Sequence, residues 1–194
     1  MNTPAHLIAA SALLARRGDT ARNGWVIAGA LMSDLWIFIF FAWAAGVQGL
    51  PGDVIWEQAY WTEPWQTIGA IFNSAPIALL IILSGIVFKR SFLLAFGLAM
   101  ALHILLDLPL HADDAHRHFW PLTDWRLISP VSYWDPNAHG RWGILLECSI
   151  VLAGATALWL RFRSIWLRGL LALAVTASLA MVAVYWLVPP SFGA

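Results

Sequence analysis

Apolar runs of the length that crosses about 30 Å of hydrocarbon, roughly 20 residues, alternate along this chain with short polar segments. Five are present: about Trp25 to Val47, about Gln66 to Phe88, about Ser91 to Leu110, about Gly143 to Leu160, and about Gly169 to Val188, the last closed by Pro189-Pro190. A shorter apolar stretch, Ala5 to Ala15, precedes them and stops at Arg16-Arg17. At about 11 residues it is too short to span and reads as a re-entrant or interfacial half-helix. Its positive charges follow rather than precede it, so it does not read as a cleaved signal peptide, and the N-terminus is expected to stay on the mature protein. The pattern predicts an all-α polytopic membrane bundle of about five transmembrane helices plus a short N-terminal helix. Residues 1–194 read as a single integral membrane domain, without internal repeats, carrying one long loop at 111–142.

The polar remainder orients this bundle. Arg16, Arg17 and Arg22 precede the first span, Lys89-Arg90 join the second and third, and Arg161, Arg163 and Arg168 join the fourth and fifth. Between the first two spans the charges are acidic, Asp53, Glu57 and Glu63. The positive-inside rule places the arginine-rich segments and the N-terminus in the cytoplasm, and the 111–142 loop and C-terminus outside. Tryptophans near the expected span ends, among them Trp25, Trp56, Trp142 and Trp186, suit an aromatic belt. Only 11% of residues are charged, less than half of the roughly 25% of soluble domains, which excludes an ordinary water-facing surface. The 11 basic and 11 acidic residues cancel, so nucleic-acid binding is not expected. The one cysteine, Cys148, excludes an internal disulfide framework and thiolate metal clusters and reads as a small residue in a packed helix.

Against so apolar a background, ionisable residues inside the spans stand out, because each costs at least about 2.5–3.5 kcal/mol near the bilayer centre. Asp34 lies in the first span, and His103 and Asp107 lie four apart in the third. His6 lies in the N-terminal stretch and Asn73 in the second span. At about 1.5 Å per residue, His6, Asp34, His103 and Asn73 fall at similar depths, about 14 to 22 Å from the arginine-rich end. Asp107 follows one turn beyond His103 on the same face; Pro109 ends that helix before His111. The stripe runs into the loop residues Asp113, Asp114, His116 and His118. Glu147 lies near enough to the outer end of its span to snorkel. Imidazole and carboxylate ligands without thiolates suit Zn²⁺, Mn²⁺ or Fe²⁺, and an open metal position would supply hydroxide near neutral pH. The same line of acids and imidazoles also suits a proton relay in a small transporter or channel, or a metal that serves only the folding of a membrane scaffold.

The residues resemble the membrane-bound metal-dependent hydrolase family of bacterial inner membranes. The likeness rests on His6 near the N-terminus, the Gly29 to Asp34 segment (GALMSD), and the His103 to Asp107 helix (HILLD) followed by Phe119 to Leu122 (FWPL). It covers most of residues 1 to 122. Where the family carries His-Ser, this chain has Asn73-Ser74, exchanging an imidazole for an amide. The resemblance implies a metal-dependent hydrolase with His6, Asp34, His103 and Asp107 as metal ligands, zinc being the first choice. Asn73 and His111 would then orient ligands or substrate, Asp107 is the leading general base if it is not a ligand, and Asp113, Asp114, His116 and His118 would shape the entrance. The expected partners are the lipid bilayer and a lipid or amphiphilic substrate that carries an ester or phosphoester.

Overall fold

The computed structural model describes residues 1–187, and the expected stop at Pro189-Pro190 and the C-terminus lie outside the described residues. Eight α-helices follow in order: α1 Thr3–Leu14, α2 Thr20–Phe41, α3 Gly52–Glu57, α4 Glu63–Phe72, α5 Ala75–Val87, α6 Ser91–Asp107, α7 Gly140–Arg161 and α8 Ile165–Leu187. Among the described residues there is no strand. The all-α membrane bundle therefore stands. Four segments are long and apolar enough to cross a membrane: α2 with the π-turn that extends it to Val47, α4 with α5, α7, and α8. The third expected span is α6, shorter at 17 residues yet about 25 Å long by helical rise. The N-terminal half-helix is α1, 12 residues.

Helix α6 packs between α2 and α5, α1 bridges α2 and α6 to α7, and α8 lies along α7. Small residues make the close contacts, as they do where lipid tails are no less apolar than a side chain. Ala10, Val26, Ala30, Ala95 and Ala99 fill the α1–α2–α6 junction. At Gly29 the α2 and α6 backbones touch, and a Cβ there would lie 2.2 Å from the Phe96 carbonyl oxygen. Gly154 of α7 likewise admits Ile8 of α1.

The second expected span is not one helix. Asn73 ends α4, and Ser74 starts α5 by accepting a hydrogen bond from the Ile77 N–H, with Pro76 in the first turn. Serine followed by proline is a helix-start signal. A break at membrane depth must have its backbone satisfied by protein, and the long loop does this. The Ala75 N–H donates to the His118 carbonyl at 2.8 Å, the Ser74 hydroxyl to the Trp120 carbonyl at 2.6 Å, and His118 Nδ1 lies 3.1 Å from the Asn73 carbonyl. Loop residues 116–120 are thereby drawn down to the level of the buried acids.

Candidate metal centre

The N-terminal segment of α1 is held against α7 by Glu147. Its carboxylate accepts from the Asn2 N–H at 3.0 Å and from Asn2 Nδ2 at 2.8 Å. Glu147 is 3% exposed, so it does not snorkel as the sequence led us to expect. The asparagine that donates to it is 145 residues away in sequence and carries no charge itself. This anchor fixes the start of α1 and so sets where His6 lies.

His6, His103 and Asp107 meet in the interior, each at most 2% exposed. One ligand atom from each lies within 4.8 Å of the other two. His6 Nε2 is 2.9 Å from Asp107 Oδ1, and His103 Nε2 is 3.0 Å from Asp107 Oδ2. His111 Nε2 approaches the same Oδ1 at 3.5 Å, and the N-terminal ammonium of Met1 donates to it at 2.5 Å. Yet none of the three imidazole nitrogens forms a hydrogen bond; their distances to the carboxylate are short, but they are not aligned on it. The His6 and His103 rings are parallel, 3.5 Å between centroids, which two imidazolium cations would not tolerate.

The tautomer of His103 is fixed by its neighbour. Its Nδ1 lies 2.7 Å from the Ala30 carbonyl, which can only accept, so Nδ1 carries a proton, and in the neutral ring Nε2 presents a lone pair. A lone pair facing a carboxylate oxygen at 3.0 Å is repulsive, and either a proton on Nε2 or a cation between the two atoms relieves it. The residues therefore fit a divalent cation: orphaned buried nitrogens, an anionic oxygen, and a backbone carbonyl that orients the ligand ring as carbonyls do in metal sites.

Asp34 stands just outside this group. Its Oδ1 is 3.5 Å from His103 Nε2, its side chain is 20% exposed, and Oδ2 has no hydrogen-bond partner. The four segments that the sequence placed at similar depth do converge, but Asn73 turns elsewhere. Its side-chain amide donates to the Ser33 and Gly69 carbonyls at 3.0 and 3.1 Å, tying α4 to α2, while its own carbonyl holds His118. It thus supports the site from behind. His111 Nδ1 is 2.9 Å from Asp114 Oδ2, and Trp134 Nε1 donates to the same oxygen at 3.0 Å. Burial lowers the basicity of His111, but the Asp107 and Asp114 carboxylates beside it push its pKa up to about 9. His116, its ring centroid 5.0 Å from that of His111, is driven well below the ordinary imidazole value by burial and by the charge on His111. Asp113 is exposed. Two contributors were missed from sequence: the Ala30 carbonyl, which belongs to the backbone, and the Asn2–Glu147 anchor, for which no local signal exists.

No family model, no curated protein and no solved structure matches the chain.

Proposed function

We propose that the protein is a membrane-embedded metal-dependent hydrolase, acting on an ester or phosphoester of a lipid or amphiphile that reaches the site within the bilayer. The observation that carries this reading is the convergence of His6, His103 and His111 Nε2 on the Asp107 carboxylate without a single hydrogen bond among them. His6, His103 and Asp107 would hold the ion, zinc in the first instance, with His111 next to them. Bound there, a divalent metal supplies Lewis acidity and lowers the pKa of a coordinated water. The chain's own residues do the rest. Ala30 keeps the His103 ring oriented toward Asp107. Asp34, whose side chain is partly exposed and whose buried Oδ2 is unpartnered among the described residues, accepts a proton at the rim of the site. The surrounding aliphatic helices exclude bulk water. The family resemblance of the His6, Gly29 to Asp34 and His103 to Asp107 segments supports the same class. Charge placement supports an orientation with the long loop outside, and the family resemblance supports a bacterial inner-membrane location.

One observation favours a second reading. His103, Asp107, His111 and Asp114 follow one another at 3.0, 3.5 and 2.9 Å, a contiguous line from the interior to the loop that suits proton transfer.

Elemental analysis of purified protein separates the two. One tightly bound divalent metal per chain, lost in His103→Ala and Asp107→Asn, is the expected result. Metal-free wild type whose liposome proton flux depends on His103 overturns the hydrolase in favour of the relay.

A further inference from the structure

A groove of about 960 Å³ opens between α1, α2, α7 and α8, at the upper end of ordinary ligand sites. It exists because α8 packs along α7, so that among the described residues α1 and α2 are left largely uncovered on that side. Its walls are aliphatic: Leu7 and Ile8 of α1, Ile27 of α2, Leu158 of α7, and Leu170 and Leu173 of α8. One end is closed by the hydrogen-bonded Asn2 and Glu147; the other opens at Ala15, Asn23, Phe162 and Leu167. From Asn2 to Ala15 the groove runs about 20 Å at the helical rise, which is more than the roughly 15 Å of hydrocarbon in one leaflet.

The open end is cationic. Arg16, Arg17, Arg22, Arg161, Arg163 and Arg168 crowd it, and Asp19 is the one acid between residues 1 and 33. Asp19 is occupied in capping α2. Arg17 and Arg161 donate to main-chain carbonyls across the α1–α7 ends, Arg22 to the Leu14 carbonyl and Arg168 to that of Trp159, so among the described residues no carboxylate compensates their charges. Arg16 and Arg163, adjoining the lining residues Ala15 and Phe162, are exposed and make no side-chain hydrogen bond or ion pair among the described residues.

We infer that this groove binds an anionic phospholipid of the leaflet at the arginine end, its acyl chains lying between α1 and α8 and its phosphate at Arg16 and Arg163. A hydrocarbon slot at membrane depth excludes a polar ligand, and the uncompensated cations select an anionic head. The site is separate from the His/Asp centre and does not depend on the hydrolase reading. Since α1 forms one wall, an occupied groove also braces the helix that carries His6.

The test is native mass spectrometry of the full chain in mild detergent, titrated with phosphatidylglycerol or phosphatidylcholine of identical chains. A single adduct retained at least tenfold better for phosphatidylglycerol is expected. The double variant Arg16→Gln/Arg163→Gln, on exposed side chains that hold nothing in the fold, should lose about tenfold or more of that preference. Ala177→Trp, which fills the groove from α8, should cut retention of both lipids at least tenfold. Equal retention of the two lipids, an unchanged preference in the double variant, or competition by glycerol phosphate as strong as by the intact lipid would each overturn the assignment.

Discussion

Replacing Gly29 by alanine tests whether the close contact of two helices sets the chemistry of a ligand that neither helix alone controls. The added Cβ would lie 2.2 Å from the Phe96 carbonyl oxygen, whereas an ordinary carbon–oxygen contact is about 3.3 Å. Both partners are backbone, so α2 and α6 must part by about 1 Å. Ala30, the next residue, holds His103 Nδ1 at 2.7 Å; the same displacement takes that contact to about 3.7 Å, beyond hydrogen-bond range. Strain from overpacking should cost about 1–3 kcal/mol of stability. Loss of the orienting carbonyl should weaken metal binding about 10- to 100-fold. Gly24→Ala is the matched control, on the same helix with nothing within 4 Å of its added methyl. Metal affinity is read by competition against a chromophoric chelator in detergent, and stability by thermal melting. Gly29→Ala that melts lower yet binds metal as tightly as wild type would refute the link between helix approach and ligand orientation.

Three further outcomes are expected. Asp34→Asn should keep its metal within about twofold while losing about 100-fold or more of hydrolysis, as for a lost general base; parallel loss of metal in elemental analysis would make Asp34 a ligand instead. Glu147→Ala removes the acceptor of two Asn2 hydrogen bonds and should lower stability by about 1–3 kcal/mol, with Glu147→Gln milder, and an unshifted melt for both would refute the anchor. Burial depresses the His118 imidazole, partly offset by the Asn73 carbonyl. At this site protons therefore bind the unfolded chain first, near pH 6.5, so in chelator-treated protein the His118 contribution is full above that value and is lost as pH falls toward the folded value. His111, raised to about 9, contributes in the opposite sense as pH rises above about 6.5. His118→Asn should flatten that slope in melts from pH 8 to pH 5, and an unchanged slope would sink the assignment.

How far the site was legible in the sequence depends on which force placed each residue. Spans and their charged connections follow from hydrocarbon thickness and charge cost, both local properties of composition, so α2, α7 and α8 lie close to where the hydropathy pattern sets them. His103 and Asp107 share a helix, and their i, i+4 spacing fixes that they share a face; the 3.0 Å contact follows. Depth along separate helices brought His6, Asp34 and His103 to one level, because the rise per residue is the same in all three. Depth does not give rotation about a helix axis, and rotation is what separated His103, aimed inward, from Asn73, turned onto Ser33 and Gly69. The break at Asn73-Ser74 was written in the Ser-Ala-Pro run that starts α5 but was outweighed by the apolar residues on either side. Glu147 was read from its distance to the end of the span, which says nothing about a partner 145 residues away. The same distinction explains why the orienting carbonyl of Ala30 was invisible: it belongs to the backbone, and only the absence of a side chain at Gly29 lets it reach the imidazole. In a bundle this apolar, the informative sequence features are therefore of two kinds, the polar atoms that burial penalises and the missing atoms that let helices close around them.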